Sequence, residues 1–524
     1  MLPFYSAFDT IGSVNFQIID GISLLADTTH NRNKNEEVNP MYIPVFPPEK
    51  GVLYMQIYEQ VKSDILSGVI VSGDKLPSKR ILSSLLGISI NTVDAAYQQL
   101  VSEGYLDAVP RSGYTVSRFS VPPARLMTST VISTDIDRPQ QTYPALHPDT
   151  IDFSPNGIDM ASLPIAKIRK TIRDVFDDGG ENLFSNCEPE GAYALRSALA
   201  GYLLTSRGLS CDPQNILIGA GTDYILQLLV QILSAAHEIT AIAMENPVYN
   251  KGFSIFTGLS IPVRLIPLDR YGIEMNYLNH SDANIVYTTP SHQFPLGIIM
   301  PVHRRHELLA WANQAENRYI IEDDYDSEFR YSGRPIPPMR SMDSSDQVIY
   351  LGTFSKSIAP SIRISYLVLP ARLMQVFRAR LSYFATTISH PDQQILARFI
   401  ENNDFERHIN RMRTLYRKKR DHLLHALSPY KNDLSVSASD AGLHLLLCVK
   451  TDLSESELIL RAGHLGVIVY GISSYYHSNE DARRIPEKTI LLGYAALRND
   501  EIDEGVSRLA LAWRLTGGSI VTSK

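Results

Sequence analysis

A lysine placed soon after an apolar stretch is the most chemically distinctive group in this sequence. Lys356 follows residues 348–351, a run of large apolar side chains that predicts a buried strand. Hydroxyl groups flank the lysine, and an arginine follows seven residues later. Such an amine can form a Schiff base with pyridoxal phosphate while its neighbours bind the phosphate; the alternative is a surface lysine in a polar loop. The predicted phosphate ligands are Thr353, Ser355 and Arg363.

Acidic side chains end a second predicted strand, at residues 318–324. The pyridine nitrogen of the cofactor needs a carboxylate partner to stay protonated, and Asp323 is assigned to it. Tyr325, two residues later, is assigned to the ring hydroxyl. Ligands of open α/β sheets lie beyond the carboxyl ends of strands, so both stretches predict one site. The alternative for the acids is a solvated turn.

A third stretch combines a strand, a glycine turn and the start of a helix, at residues 215–222. Free backbone N–H groups and the helix dipole bind phosphate at such a turn. Gly221 and Thr222 are therefore assigned to the cofactor phosphate. A glycine turn alone is a weak signal, but three such pieces in one order are a strong one.

Together these motifs resemble those of the fold type I aminotransferases. The segments Thr-Pro-Ser-His-Gln-Phe-Pro (289–295), Glu-Asp-Asp-Tyr-Asp-Ser-Glu-Phe (322–329) and Gly-Thr-Phe-Ser-Lys-Ser (352–357) are similar, more narrowly, to the GabR-like MocR subfamily of GntR regulators. This resemblance implies an α/β domain over residues 150–515, with a mainly parallel sheet and a small C-terminal α+β subdomain. It also implies that Tyr249 stacks on the cofactor ring, with core packing as the alternative, and that Gln293 lies near the ring hydroxyl.

Residues 45–119 predict a smaller domain of three helices and a hairpin wing. The segments Lys-Leu-Pro-Ser-Lys-Arg (75–80), Asn-Thr-Val (91–93), Ala-Tyr-Gln-Gln-Leu (96–100) and Glu-Gly-Tyr-Leu (103–106) resemble the winged helix-turn-helix of the GntR family. This implies a third helix in the major groove of a DNA operator. The predicted phosphate contacts are Lys79, Arg80 and Arg111, and the other predicted contacts are Asn91, Thr92 and Gln98.

Two features of this domain argue for modest DNA affinity. Residues 51–119 contain six basic and six acidic side chains, so the domain is not basic. Ile90 stands where the family usually carries arginine. A dimer that supplies two such domains is therefore expected to be necessary. The alternative is a winged helix that contacts protein.

Length and composition restrict the remaining possibilities. The chain has 524 residues, of which 44% are hydrophobic and 20% charged, with a net charge of -7. This size predicts more than one domain, and the charge excludes a general affinity for nucleic acids or membranes. Three cysteines without metal-ligand spacing predict a cytoplasmic protein without a metal site. No apolar run is long enough to predict a transmembrane helix.

Two segments lie outside the two domains, and a third lies within the larger one. Residues 1–40 predict a disordered extension, either from a start codon chosen too early or as a genuine tail. Residues 120–149, with prolines among polar residues, predict an extended linker. The basic side chains of residues 375–430 favour a solvated helix face over a DNA-facing patch.

The combination predicts a pyridoxal-phosphate-dependent homodimeric transcription regulator that senses a small amino compound and controls operator binding. One alternative is an active aminotransferase with a DNA-binding appendage; another is a DNA-binding protein with a dimerisation scaffold. The resemblance places Ala496 and Lys251 where GabR-like members carry carboxylate-binding arginines. Full turnover and recognition of γ-aminobutyrate are therefore not expected, and Lys251 remains the candidate effector contact.

Overall fold

A computed structural model gives the fold of the chain, which divides into two compact units, residues 1–141 and 142–524. The predicted extension at 1–40, the linker up to residue 148 and the wing residue Arg111 lie outside the described part. The structure describes residues 42, 44, 52–109, 113–118, 149–331, 333, 336–438, 440–477, 486 and 488–516.

The first unit contains three helices and three short strands. Ser78 and Ser89 begin the second and third helices, because each serine hydroxyl accepts a hydrogen bond from a backbone N–H of the first turn. Gly87 ends the second helix in a left-handed conformation, with φ of 65°. The elements are α1 (Leu53–Leu66), β1 (Lys75–Leu76), α2 (Lys79–Leu86), α3 (Ile90–Ser102), β2 (Leu106–Val109) and β3 (Gly113–Val116).

The strands of this unit form an antiparallel sheet in the order β1–β3–β2, which is the predicted wing. Ile57, Val61 and Ile65 of α1 are buried against α3, as their spacing predicts. Leu53 has the same spacing as these residues but is 50% exposed, because it opens the helix one turn before the core begins. A compact winged helix-turn-helix results.

The second unit alternates strands and helices. Its strands are β4 (Ile151–Asp152), β5 (Ile216–Gly219), β6 (Ile242–Asn246), β7 (Val263–Asp269), β8 (Gly272–Ile273), β9 (Ile285–Thr288), β10 (Tyr319–Asp324), β11 (Val348–Thr353), β12 (Ser365–Val368), β13 (Leu434–Ser437), β14 (His444–Val449), β15 (Val467–Ile468), β16 (Tyr470–Gly471) and β17 (Thr489–Gly493). Its helices are α4 (Ile165–Gly179), α5 (Tyr193–Arg207), α6 (Gly221–Ala236), α7 (Asn250–Gly258), α8 (Met275–His280), α9 (Val302–Ala312), α10 (Ala371–Val376), α11 (His390–Glu401), α12 (Asp404–Leu427), α13 (Glu455–His464) and α14 (Asn499–Trp513).

The large sheet has eight strands in the order β5–β12–β11–β10–β9–β6–β7–β8. Strands β11, β10, β9, β6 and β7 are parallel neighbours, whereas β12 is antiparallel to both β11 and β5. The carboxyl ends of β5, β6, β9, β10 and β11 consequently meet at one edge. The predicted mainly parallel sheet is confirmed.

Alternation along the strands buries both faces of this sheet. Ile285 and Ile321 pack in a cluster with α6 and α10, whereas Val286 and Ile320 pack in another with α9. Side chains buried on both faces explain why these strands have continuous apolar sequences.

A smaller antiparallel sheet in the order β13–β14–β17–β16 forms the C-terminal part, with α13 and α14 packed nearby. Strand β15 pairs with β4 and so ties the start of the second unit to this part. Among the described residues, no helix is long and apolar enough to cross a membrane.

Candidate cofactor site and DNA-contact surface

A cavity of about 440 Å³ lies at the carboxyl edge of the large sheet. Its walls come from segments that are distant in sequence but adjacent in the sheet, as the topology requires. Most of the predicted cofactor residues line it. These are Thr222, Tyr249, Asp323, Tyr325, Thr353, Ser355, Lys356 and Arg363, and the candidate effector residue Lys251 lines it as well.

The start of α6 forms one end of the cavity. Gly221 has φ of 79°, and a Cβ atom there would collide with the guanidinium of Arg363. Glycine is therefore required both for the left-handed turn and for the approach of the arginine. The Thr353 hydroxyl donates to Ser355 Oγ at 3.2 Å, which places two hydroxyls beside this helix start. A guanidinium, hydroxyls and a helix N-terminus are the groups that bind a phosphate.

Asp223 is a cavity residue that the sequence interpretation missed. One of its carboxylate oxygens accepts a hydrogen bond from Arg363 Nη2 at 3.0 Å. The same carboxylate pairs with Lys251 Nζ at 2.8 Å. Its position as the third residue of α6 was visible in the sequence, but nothing local showed that two distant cations would converge on it.

Asp323 also lines the cavity, where it is 5% exposed. Burial raises the pKa of its carboxyl to about 7, although the Tyr287 hydroxyl donates a hydrogen bond to it and opposes that rise. A cationic ring nitrogen would restore the charged carboxylate. Tyr287 was also missed, since β-strand alternation predicts only a core position for it.

Lys356 follows β11 and projects into the cavity. Its Nζ donates to the carbonyl oxygen of Pro155 at 3.1 Å and to Asn156 Oδ1 at 3.0 Å. Both acceptors are uncharged, and the enclosed surroundings lower the pKa of the amine to about 8. Roughly a tenth of the amine is thus unprotonated at pH 7, far more than for an ordinary lysine, and the unprotonated form is the one that attacks a carbonyl carbon.

Tyr325 belongs to a buried polar cluster next to the cavity. Its hydroxyl lies 3.1 Å from His292 Nδ1, which is itself 2.9 Å from Asp326 Oδ2. Burial and the neighbouring carboxylates Asp326 and Asp323 raise the pKa of Tyr325 well above its usual value, so the phenol stays protonated. His292 Nδ1 thus has structural partners in this cluster.

Tyr249 stands at the start of α7 and faces the cavity. Its ring contacts Phe294 edge to face, with ring centroids 6.2 Å apart. The ring therefore belongs to the cavity wall and not only to the core, which is compatible with the stacking role.

Gln293 is the predicted cofactor residue that the structure does not bring into the cavity. Its side-chain nitrogen donates to the carbonyl oxygens of Pro247, at 3.0 Å, and Phe294, at 2.7 Å. Its side-chain oxygen accepts from the backbone N–H of Leu296 at 3.0 Å. A buried amide must satisfy its hydrogen bonds, and here backbone carbonyls of two loops take both N–H donors, so neither donor is left for a ring hydroxyl.

These residues fit pyridoxal phosphate by their chemistry. The cavity is lined by an amine with a lowered pKa, a buried carboxyl and a phosphate-type cradle. The glycine at Gly221 leaves room that any Cβ would remove. Lys356, Asp323 and Arg363 could thus hold the aldehyde, the ring nitrogen and the phosphate respectively.

The predicted DNA contacts of the first unit lie on the outside of helices, whereas the cofactor residues of the second unit line a cavity. Arg80, Asn91 and Gln98 are exposed, and Arg80 has no ion-pair partner among the described residues. Lys79 Nζ, by contrast, lies 2.7 Å from Asp94 Oδ1 and links α2 to α3. The Thr92 hydroxyl lies 2.8 Å from that of Ser89.

Comparison with known proteins agrees with both units. Residues 148–509 match the family described as aminotransferase class I and II, and residues 53–116 match the bacterial regulatory proteins of the gntR family. The HTH-type transcriptional regulator YdeL of Bacillus subtilis is 39% identical over 469 residues, which cover 88% of this chain and 97% of that protein. The chain belongs to the MocR subfamily of GntR-type transcription regulators.

Two further relatives carry more specific names. The probable rhizopine catabolism regulatory protein MocR of Rhizobium meliloti is 30% identical, over 88% of this chain and 94% of its own. The HTH-type pyridoxine biosynthesis transcriptional regulator PdxR of Corynebacterium glutamicum is 32% identical, over 83% of this chain and 91% of its own. As a MocR-type regulator, the chain pairs a DNA-binding domain with an aminotransferase-like one.

Solved structures resemble the second unit. The multiple substrate aminotransferase of Thermococcus profundus has a TM-score of 0.62 and 26% identity, covering 70% of this chain and 92% of its own. The kynurenine aminotransferase of Pyrococcus horikoshii, solved with PMP, has a TM-score of 0.61 and 26% identity, covering 70% and 91%. The aminotransferase class I and II fold implies pyridoxal phosphate as the cofactor of this MocR-type regulator.

Proposed function

We propose that this MocR-type regulator senses a small amino compound at its cofactor cavity and controls operator binding by its winged helix. The observation that carries the proposal is the convergence of Lys356, Asp323 and Arg363 on one cavity, in a chain that also has a gntR-family unit. A bare scaffold for dimerisation would need no such convergence of charges, and the burial of the Asp323 carboxyl costs folding free energy.

The cavity residues divide the binding of the cofactor between them. Lys356 would hold the aldehyde carbon, Asp323 the ring nitrogen, and Tyr325 the ring hydroxyl. The phosphate would lie among Arg363, Ser355, Thr353, Thr222 and the backbone of Gly221. When bound, pyridoxal phosphate supplies a carbonyl carbon that captures amines and a ring that withdraws electrons. Tyr249 would cover one face of the ring and exclude water from it.

Control of DNA binding follows from linkage. A ligand that binds one arrangement of the two units more tightly than another can shift the free energy of operator binding. The shift can be as large as the difference between the ligand's binding free energies for the two arrangements. We further propose that the protein acts as a cytoplasmic homodimer. The winged helix has few unpaired cations, so two copies on one operator are needed for adequate affinity. Sedimentation of the cofactor-loaded protein at micromolar concentration tests this, and a monomer would contradict it.

The central experiment measures the two units together. Operator fragments are first selected from random DNA with cofactor-loaded protein, and the dissociation constant is then measured with and without a panel of amines and amino acids. We expect at least one compound to change both the cofactor absorbance and the operator affinity. A compound panel that perturbs the cofactor but never the DNA affinity would refute the coupling.

An active aminotransferase is the second candidate, because the amine of Lys356 and the carboxyl of Asp323 are both in place. Turnover also requires a group that orients the substrate carboxylate. Lys251 is the candidate nearest to that role, but it is already paired with Asp223. Multiple-turnover assays with amino acids and 2-oxoglutarate distinguish the two functions, since a regulator is expected to stop after at most one turnover.

A further inference from the structure

The cations of the cavity determine which ligands it can take. Among the described residues that line it, three carry positive charge: Lys251, Lys356 and Arg363. The proposed cofactor occupies two of them, with its carbonyl carbon on Lys356 and its phosphate on Arg363. Only Lys251 is then left to face a second ligand.

Lys251 is not a free charge. Its Nζ lies 2.8 Å from the carboxylate of Asp223, which is also 3.0 Å from Arg363 Nη2. When a phosphate binds Arg363, the carboxylate of Asp223 keeps only Lys251 of these two cationic partners. The lysine and the aspartate then form a neutral pair at the cavity wall.

A ligand carboxylate would therefore have to compete with Asp223 for this lysine. Displacing Asp223 would leave one carboxylate without a cationic partner beside the phosphate of the proposed cofactor, where like charges repel. Lysine offers a single ammonium and no bidentate fork that could serve both carboxylates equally well. The cavity is thus unfavourable for amino acids.

The other walls near this pair are aromatic and uncharged. The Phe294 ring contacts Tyr249 at 6.2 Å and Tyr475 at 5.2 Å between centroids, both edge to face. The amide of Asn250 is occupied, because it donates to the carbonyl oxygen of Ser474 at 3.0 Å. Such walls favour an apolar chain, which loses no hydrogen bonds when it leaves water.

We propose that the effector is a primary amine with an apolar chain and no carboxylate. The amino group is the part that the cofactor recognises, and the aromatic wall formed by Tyr249, Phe294 and Tyr475 covers the chain. This inference rests on the proposed sensor function and specifies its ligand class. It assigns to Asp223 the role of excluding carboxylates by holding Lys251.

A pair of ligands that differ in one group tests the proposal. n-Pentylamine and 5-aminopentanoate share the same amino group and four methylenes, and end in a methyl and a carboxylate respectively. Each is titrated into cofactor-loaded protein, free of excess cofactor, by calorimetry and by cofactor absorbance. We expect n-pentylamine to bind roughly tenfold or more tightly than 5-aminopentanoate. Equal affinities, or tighter binding of the amino acid, would overturn the inference.

The variant Asp223→Asn tests the residue that carries the selectivity. It keeps the size of the side chain but releases Lys251, so the affinity for 5-aminopentanoate is expected to rise about tenfold relative to n-pentylamine. The double variant Asp223→Asn with Lys251→Met should lose that gain. A single variant whose selectivity equals that of the wild type would overturn the role of Asp223; thermal melting verifies that both variants are folded.

The outcomes separate this inference from the proposed function. If amino acids bind and change operator affinity while amines do not, the sensor function holds and the ligand class is wrong. If neither class of compound changes the cofactor absorbance or the operator affinity, the sensor function itself is wrong. If n-pentylamine alone changes both, the two proposals stand together.

Discussion

The two units of the chain place their functional side chains in opposite ways. In the winged helix, Arg80, Asn91 and Gln98 lie on exposed helix faces within a short stretch of sequence. In the aminotransferase-like unit, the cavity side chains come from segments as distant in sequence as Asn156 and Arg363 and line one cavity. The predicted contacts of the first unit are separate from one another, whereas the cavity side chains of the second form a group of interacting charges.

This difference predicts how each unit responds to substitution. Exposed contacts are screened by solvent and act nearly independently, so their losses should add. Buried charges depend on one another, as the raised pKa of Asp323 and the lowered pKa of Lys356 indicate. A change at one cavity residue should therefore alter the behaviour of the others.

The largest effect is expected for Lys356→Ala. Wild-type protein should be yellow. Reduction with borohydride should attach the cofactor covalently to Lys356, because the amine that follows β11 into the cavity belongs to this residue. The variant should lose the fixed adduct completely, as measured by mass spectrometry of the tryptic peptides. Lys170→Ala, on an exposed face of α4, is the matched control and should keep it. An adduct of wild-type yield in Lys356→Ala would disprove the assignment.

A smaller loss is expected for Asp323→Asn. The amide cannot supply the charge that a protonated ring nitrogen needs, which should weaken cofactor binding by about 1.5–3 kcal/mol. Tyr287→Phe removes only the hydroxyl that donates to this carboxylate, and should cost about 0.5–1.5 kcal/mol. Fluorescence titration with the cofactor measures both constants. If the two losses do not add in the double variant, the cavity charges depend on one another, as the contrast between the two units predicts. Strictly additive losses would contradict that contrast.

These cavity residues also show how far the sequence could be interpreted. Lys356, Asp323 and Arg363 were predictable as cavity residues because local patterns are evident there: Asp323 lies near the end of a strand, and the other two follow a strand and a turn. Asp223 was missed because its partners are far away in sequence and meet it only in the folded sheet. Gln293 was assigned to the ring by analogy, but backbone groups of neighbouring loops satisfy its amide. Contacts between distant segments are what local patterns cannot supply.

The winged helix could be predicted more fully, since its helices, caps and wing are local structures. Ser78, Gly87 and Ser89 marked the helix boundaries that the structure has. The ion pair between Lys79 and Asp94 was not predicted, because it joins two helices across the turn. Even in this simpler unit, a long-range pairing changed the charge available to a ligand.

For DNA binding, Arg80→Ala and Asn91→Ala should differ in kind. Arg80 is exposed and without an ion-pair partner among the described residues, so its loss should weaken all sequences alike by ~1–2 kcal/mol and lower the salt slope by about 1. Asn91 lies in the first turn of α3, so its loss should relax sequence preference instead. Binding to selected and scrambled operators at several salt concentrations measures both. Unchanged binding in both variants would contradict the placement of the winged helix on DNA.

The pH dependence of cofactor attachment tests the lowered pKa of Lys356. Only the unprotonated amine attacks, so the attachment rate should rise with pH and level off above the pKa of about 8. Between pH 7 and 9 the rate should increase roughly tenfold, since the neutral fraction follows the titration of one group. Stopped-flow absorbance of apoprotein mixed with cofactor measures it. A rate that still rises steeply above pH 10 would show an ordinary lysine.

The smallest effect is expected for Lys79→Ala, and it is the sharpest test of the contrast between the units. Lys79 was predicted to contact DNA phosphate, yet Asp94 lies 2.7 Å from its ammonium and raises its pKa. A cation that already has a carboxylate partner releases few counterions from DNA, so the variant should lose about twofold in affinity with little change in salt slope. Asp94→Asn is the matched variant: it frees Lys79, and operator affinity should rise with a steeper slope. If Lys79→Ala instead lowers the salt slope as much as Arg80→Ala does, then Lys79 and Arg80 make equivalent contacts with DNA. The ion pair would then open on binding, and charge coupling would extend to the exposed unit as well.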